Sequence, residues 1–124
     1  MGWLDRILGR DKVNPTPVRT AAEFQETVLD SPLPVIVDVW SQTCPPCRRL
    51  VPVLVDVATR YRERVRVVEI STEAEGAVLG RLRVRATPTI ILFEHGEELG
   101  RTTGFKPPNW FYEMIEAEFP EGEE

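Results

Sequence analysis

The distribution of apolar residues along the chain predicts alternating strands and helices. Short runs rich in β-branched residues are typical of buried strands, and apolar residues that recur every three or four positions are typical of helices that bury one face. Strands are predicted over residues 35–40, 65–70, 89–93 and 97–103. Helices are predicted over residues 20–29, 47–61, 72–82 and 109–119. His95-Gly96 falls between the last two strands and predicts a tight hairpin turn.

Local signals mark two helix starts and one helix interior. Thr20 with Glu23, and Thr72 with Glu75, have the spacing of a capping box, in which the two side chains satisfy free amides at a helix start. Pro52 lies within the second predicted helix and should kink it. The order of the elements is that of βαβ units followed by a ββα ending. It predicts an α/β fold with a mixed central sheet and helices on both faces.

The 124 residues of the chain fit one domain with a single core, which we expect over residues 20–119. Residues 1–19 predict an appendage, made of a short amphipathic piece and an extended, proline-containing linker at 14–17. The apolar positions of that piece are Trp3, Leu4, Ile7 and Leu8. Two turns of helix are too short for firm membrane insertion. Residues 120–124 predict a solvated acidic tail.

The charge of the chain argues against one class of partner. Fifteen basic and twenty acidic residues give a net charge of −5, opposite in sign to the basic surface that nucleic-acid binding requires. No apolar run approaches the roughly 20 residues of a membrane span. The first residues lack the apolar core of a secretory signal, with Asp5 and Arg6 where it would run. We therefore expect a cytoplasmic protein whose thiols are kept reduced.

The strongest chemical signal is the pair Cys44 and Cys47, which lies between a buried strand and a helix. Free amides and the positive end of the dipole at a helix N-terminus stabilise a thiolate, so we expect Cys44 to be the exposed, attacking thiol. Cys47 lies one turn further on and can displace a substrate sulfur from a mixed disulfide on Cys44. Pro45 favours an extended backbone at Cys44, and Pro46 suits an early helical position. Because neither proline has an amide hydrogen, the Cys47 amide is the backbone donor nearest to the Cys44 sulfur.

Two other uses of such a cysteine pair stay open at this point. A structural zinc site needs four ligands, and the rest of the chain supplies one His and no further Cys. A purely structural disulfide across so short a loop would constrain the unfolded chain weakly, and a reducing compartment opposes it. The pattern therefore favours a reactive pair, with no bound cofactor and no metal.

Several separated motifs together resemble the thioredoxin family, over residues 20–119. The motifs are Val37-Asp38-Val39-Trp40, Cys44-Pro45-Pro46-Cys47, Pro52, Ala86-Thr87-Pro88-Thr89 and the run Phe93, Gly96, Gly104. The cysteine spacing alone would be a weak signal, whereas several motifs in the family's element order are specific. The resemblance implies a thioredoxin fold and the activity of a thiol–disulfide oxidoreductase.

The resemblance also implies roles for individual residues. Pro88 matches the family's cis-proline beside the cysteines, and the backbone of Thr87 would pair with the substrate chain. Asp38 matches a buried carboxylate that takes the proton of Cys47, and its place in an apolar strand by itself predicts a raised pKa. The other substrate-binding candidates are Trp40, Thr43, Pro45, Pro46 and Gly104. Without the resemblance, Thr87-Pro88 is a strand-entry turn, Asp38 a hydrogen-bonded acid and Trp40 a core residue.

The chain departs from the family pattern at three places. Thr43 stands where a second Trp is common, and Pro45 stands where a Gly is common. Glu69 stands on the next strand, where the family tends to place a Lys that faces the buried acid. If Asp38 and Glu69 both point inward, one of them should stay protonated near neutral pH, since two close buried carboxylates resist double ionisation.

These observations predict a monomeric oxidoreductase that reduces protein disulfides. The electron donor that the resemblance implies is an NADPH-dependent flavoprotein reductase. Two alternatives stay open. One is an isomerase or oxidant that uses the same cysteines at a higher potential, and the other is a binding module of the same fold whose cysteines are incidental.

Overall fold

The strands and helices follow the predicted order, with a short strand added at the start. The computed structural model describes Trp3 and residues 11–121. The strands are β1 (Thr16–Pro17), β2 (Val35–Trp40), β3 (Arg66–Ser71), β4 (Thr89–Glu94) and β5 (Glu97–Thr103). The helices are α1 (Ala21–Phe24, continued by a π-helix over Gln25–Leu29), α2 (Pro45–Arg60), α3 (Gly76–Leu82) and α4 (Pro108–Glu118).

The strands form one sheet in the order β1-β3-β2-β4-β5. β2 pairs in parallel with β3 and antiparallel with β4, so it lies at the centre. β5 returns antiparallel to β4 through His95 and Gly96, which both have a positive φ, as a tight hairpin turn requires. The predicted α/β fold with a mixed sheet is confirmed.

Apolar side chains cover both faces of the sheet. α2 and α4 lie on one face, where Leu50 and Phe111 pack in the same cluster as Ile36. On the opposite face the buried residues of α1, α3 and the sheet include Phe24, Val28, Val37, Val39, Val78, Leu82 and Ile91. Alternate residues of β2 therefore point to different helices, and Asp38 shares the α2 face with Ile36.

The first helix begins as predicted but changes its winding. The Glu23 N–H donates to Thr20 Oγ1 at 3.1 Å, and the Thr20 N–H donates to the Glu23 carboxylate at 3.3 Å, so the capping box is confirmed. After Phe24 the chain continues as a π-helix, which the Asp30 N–H closes on the Gln25 carbonyl at 2.8 Å. Apolar spacing does not distinguish these two windings over a single turn.

The predicted helix start at Thr72 is wrong. α3 begins at Gly76 with Glu75 as its N-cap, and no side chain caps it. The Glu75 carboxylate instead accepts the N–H of Ala21 at 2.8 Å, at the start of α1. The Glu75 side chain, which the local pattern predicted to cap its own helix, thus connects the starts of α1 and α3.

Residues 11–19 pack against the rest of the fold. The Val13 N–H donates to Thr59 Oγ1 of α2 at 2.8 Å, and Val18 is buried. The linker predicted at 14–17 is extended, but β1 pairs there with the outer edge of β3. The domain bounds at residues 20 and 119 stay a prediction.

Parts of both predicted termini lie outside the described residues. They are the amphipathic positions Leu4, Ile7 and Leu8 and residues 122–124 of the acidic tail. Trp3 is described and is 66% exposed. Within the described part of the chain, no helix has the length and apolar character needed to cross a membrane.

Candidate active site

Cys44 and Cys47 lie at the start of α2 and form a disulfide. Cys44 is the N-cap residue, with an extended backbone at φ −130° and ψ 95°, and Pro45 and Pro46 occupy the first two helical positions. The Cys47 N–H donates to Cys44 Sγ at 3.2 Å. This is the local geometry that the two prolines predict. A thiolate on Cys44 would accept the same hydrogen bond and face the positive end of the helix, which favours its ionised form.

The exposure of Cys44 is smaller than the sequence predicts. Only 6% of its surface is exposed, against 3% for Cys47, so the expectation of an openly exposed Cys44 is wrong. Its Sγ is bonded to the Cys47 sulfur and lies 3.5 Å from the carbonyl oxygen of Thr87, which covers it. Cys44 is still the more exposed of the two cysteines. The predicted binding residues beside it are Thr43 and Pro45, which are exposed, and Pro46, which is half-buried.

The loop before β4 completes the site from across the sheet. The Thr87-Pro88 peptide bond is cis, as the resemblance implied, and Pro88 is buried. The Gly104 N–H donates to the Pro88 carbonyl at 2.8 Å, and Thr87 Oγ1 lies 3.4 Å from Ser41 Oγ at the end of β2. The structure thus brings the Thr87, Pro88 and Gly104 candidates together, and it places Thr87 beside Cys44.

Asp38 is a buried acid in β2 and is only 3% exposed. Its Oδ1 has no hydrogen-bond partner among the described residues, so the hydrogen-bonded alternative lacks that contact. Burial, and secondly the negative charge of Glu69, raise the pKa of Asp38 from 3.8 to about 7. The direction is the one predicted from its place in an apolar strand. Near neutral pH this carboxyl can therefore either accept or donate a proton.

A cavity of about 540 Å³ lies beside the disulfide on the Cys47 side. Asp38, Glu69 and Cys47 all line it, together with Trp40. Trp40 is half-buried, and its Nε1 has no hydrogen-bond partner among the described residues. Trp40 therefore belongs to the wall of this cavity, which the apolar pattern of β2 alone did not distinguish from the core.

Several further residues of the cavity wall were not among the predicted site residues, among them the polar side chains of Asn14, Gln42 and Arg48. The Arg48 guanidinium donates to the Gln42 carbonyl at 3.4 Å across the mouth of the disulfide loop. Arg48 follows Cys47 directly in the sequence, and this position is a signal from which a place beside the disulfide could be predicted. Asn14 carries no such signal, because its place at the cavity depends on contacts between distant segments, from Val13 to Thr59 of α2 and from β1 to β3.

The zinc alternative lacks ligands in the part of the chain that the structure describes. No group of three or more His, Cys, Asp or Glu side chains is placed there to hold a metal ion. Cys44 and Cys47 are bonded to each other. Such a disulfide is the oxidised form of a pair that takes part in thiol–disulfide exchange. The geometry of Cys44 and Cys47 is therefore that of a reactive pair or of a structural disulfide.

The chain is similar to thioredoxins over most of its length. The thioredoxin family model matches residues 15–117. Thioredoxin 1 of Synechococcus elongatus is 35% identical over 88 residues, which are 71% of this chain and 82% of that protein. The thioredoxin of a Synechocystis species is 34% identical over 101 residues, which are 82% of this chain and 94% of that protein. The chloroplastic thioredoxin Y of Oryza sativa is 33% identical over 99 residues, which are 80% of this chain and 59% of that protein.

Proposed function

Because this chain belongs to the thioredoxin family and is a dithiol–disulfide oxidoreductase, we propose that it works as a reductase of protein disulfides, with Cys44 attacking and Cys47 resolving. The observation that carries this proposal is the hydrogen bond from the Cys47 N–H to Cys44 Sγ, at 3.2 Å and at the N-terminus of α2. The donor and the helix dipole favour a thiolate on Cys44. Cys47 lies one turn inside the helix and lacks this placement, so the asymmetry sets the order of attack.

The proposed reaction moves two electrons to the substrate. The Cys44 thiolate attacks one sulfur of a substrate disulfide, the substrate S–S bond breaks, and the other substrate sulfur leaves as a thiolate. Cys47 then loses its proton and attacks Cys44 Sγ, and the mixed disulfide breaks to release the second substrate thiolate. The protein ends with the Cys44–Cys47 disulfide, which is the form of the structure.

We propose that Asp38 accepts the proton that Cys47 loses when it attacks the mixed disulfide. Both residues line the same cavity, and the raised pKa of Asp38, about 7, is suited to proton exchange near neutral pH. A carboxyl with an ordinary pKa would be a much weaker base toward a thiol. Asp38 therefore completes the catalytic set of Cys44 and Cys47.

We assign the docking of the substrate to the backbone of Thr87. Its carbonyl oxygen lies 3.5 Å from Cys44 Sγ, where an extended substrate chain would meet backbone groups beside the reacting sulfur. Pro88 follows it, and its carbonyl is held by the Gly104 N–H. The remaining docking candidates are Trp40, Thr43, Pro45 and Pro46.

The oxidised protein needs an electron donor for each new cycle. We propose an NADPH-dependent flavoprotein reductase for this role, and a monomer that works in the cytoplasm, where thiols are kept reduced. NADPH consumption with such a reductase should depend on Cys44, and light scattering should give the mass of one chain, 14.1 kDa. A cysteine pair that alkylation finds oxidised in living cells would contradict the cytoplasmic assignment.

The order of attack is tested with a disulfide-bonded peptide and mass spectrometry. Cys47→Ser should accumulate a mixed disulfide between the peptide and Cys44, because the resolving thiol is absent. Cys44→Ser is the matched control and should form at least about tenfold less adduct, because Cys47 is the more buried thiol and lacks the donor. An adduct mainly on Cys47 would overturn the assignment.

The direction of the reaction is tested by the potential of the Cys44–Cys47 couple, equilibrated against glutathione. A reductase should have a potential near about −270 mV, whereas about −180 mV or above is typical of disulfide isomerases and oxidants. The second range would replace the proposed reductase by those alternatives. If the protein is instead a binding module whose cysteines are incidental, Cys44→Ser should retain the full biological effect.

A further inference from the structure

Asp38 and Glu69 lie opposite each other on neighbouring parallel strands. They are register partners in the pairing of β2 with β3. Register partners of parallel strands project to the same face of a sheet, here the face that α2 covers. Both side chains line the cavity that also contains Cys47. The fold thus places two carboxyl groups and the resolving cysteine around one space.

The two carboxyl groups differ in their access to solvent. Asp38 is only 3% exposed, and its Oδ1 has no hydrogen-bond partner among the described residues, whereas Glu69 is half-buried. A cavity of about 540 Å³ far exceeds the roughly 10–15 Å³ that one water molecule requires. The cavity therefore has room for water beside both carboxyl groups.

The other groups around the cavity do not neutralise this pair. From α2 come Cys47 and the guanidinium of Arg48, which donates to the Gln42 carbonyl at 3.4 Å. On β4 the register partner of Asp38 is Ile90, which has no charge. The segment before β1 contributes Asn14 and a proline, which do not titrate. The negative charge of Glu69 is accordingly a cause of the raised pKa of Asp38, second to burial.

We propose that Asp38 and Glu69 act as one coupled carboxyl unit that holds a single proton beside Cys47, with Glu69 as a positioning residue whose negative charge helps to keep this proton on Asp38. The inference rests on the proposed role of Asp38 and extends it. When Cys47 attacks the mixed disulfide, the ionised form of Asp38 accepts its proton, and the proton later leaves to solvent through the cavity. When the protein disulfide is reduced, the unit gives its proton to the Cys47 thiolate. A unit that is half protonated serves both directions at the same pH.

The test measures the two directions separately in Glu69→Gln. Without the charge of Glu69, the pKa of Asp38 should fall, because one of the two causes that raise it is removed while burial remains. More ionised Asp38 should speed the oxidation of the dithiol by a disulfide peptide at pH 6, by up to about tenfold per unit of displaced midpoint. Less protonated Asp38 should slow the reduction of the protein disulfide at pH 7.5 by a similar factor. Opposite changes in the two rates are not expected from structural damage.

Two variants serve as controls. Glu73→Gln removes an equal charge from an exposed residue that accepts from Gln42 Nε2 at 3.3 Å and does not line the cavity, and it should change neither rate. Glu69→Asp keeps a carboxyl at this position and should leave both rates close to those of the parent protein. If Glu69→Gln changes both rates in the same sense, or neither, the coupled unit is overturned.

Asp38→Asn separates this inference from the proposed function. If it leaves both rates unchanged, the proposed role of Asp38 in proton transfer fails. The coupled unit is then judged by the 13C chemical shift of the Asp38 carboxyl in the otherwise intact protein. A midpoint that falls in Glu69→Gln supports the coupling, and one that stays in place refutes it.

Discussion

The carbonyl oxygen of Thr87 lies 3.5 Å from Cys44 Sγ, across a sequence separation of 43 residues. The hydroxyl of Thr87 takes no part in this contact, because Oγ1 is 3.4 Å from Ser41 Oγ. The group that faces the reacting sulfur is therefore the backbone. Docking at this point should depend on the path of the chain more than on the Thr87 side chain.

Thr87→Val should consequently leave the catalytic efficiency toward a disulfide peptide within about twofold of the parent, since it removes a hydroxyl and keeps the β-branched shape. Steady-state kinetics with a disulfide peptide measure this. Ser41→Ala, which removes the other hydroxyl of the pair, is the matched control and should behave alike. A tenfold loss in Thr87→Val alone would show that the side chain itself binds the substrate.

Asp38→Asn should stabilise the oxidised protein at neutral pH and not in acid. The pKa of Asp38 is raised from 3.8 to about 7, so the folded state binds more protons than the unfolded state between these values, and stability falls as the pH rises through that window. An uncharged Asn does not carry this cost, which is on the order of 4 kcal/mol above pH 7.

Urea denaturation of both proteins between pH 4 and pH 8 measures the effect. The difference in the free energy of unfolding should be near zero at pH 4 and grow toward pH 7. If the difference in the free energy of unfolding does not change with pH, the pKa of Asp38 is not raised in the folded state. Glu69→Gln should reproduce part of the gain at neutral pH, because it removes the second cause of the raised pKa.

The central strand was predictable from local pattern, because both of its faces are covered. Residues 35–40 were predicted and Val35–Trp40 is observed, since a β-branched run between Pro34 and a polar segment has no other way to bury its side chains. The same holds for the start of α2, where the chemistry of Pro45 and Pro46 determines the backbone of Cys44. Signals within about one turn of chain were sufficient here.

The features that were missed depend on contacts between distant segments. Glu75 has the spacing of a cap for a helix at Thr72, yet it accepts the N–H of Ala21 in another helix. Cys44 has the position of an exposed thiol, yet the Thr87 carbonyl from before β4 covers it. The cavity wall includes Asn14, which arrives through strand pairing. Apolar periodicity carries no information on contacts between segments that are distant in the sequence.

Phe111→Ala should destabilise the protein by about 3–5 kcal/mol, because a fully buried aromatic ring is replaced by a cavity. Phe111 belongs to the cluster that joins α4 to α2, and its ring lies 5.0 Å from that of Trp110. Phe105→Ala is the control, since Phe105 is 37% exposed and should cost less than about 1 kcal/mol. Thermal unfolding compares the two. Equal losses would contradict the assignment of α4 to the core.

Two glycines should respond to Ala with opposite signs. Gly96 has φ +80° in the hairpin turn, and a Cβ there would lie 3.1 Å from the Leu29 carbonyl oxygen, so Gly96→Ala should destabilise the protein by about 1–2 kcal/mol. Gly80 lies inside α3, where a Cβ meets nothing within 4 Å, so Gly80→Ala should stabilise it by about 0.5–1 kcal/mol through the smaller entropy of its unfolded state. Urea denaturation at one pH measures both. A stabilising Gly96→Ala would show that the β4–β5 turn has another conformation, and a destabilising Gly80→Ala would show that α3 packs more closely there than this structure indicates.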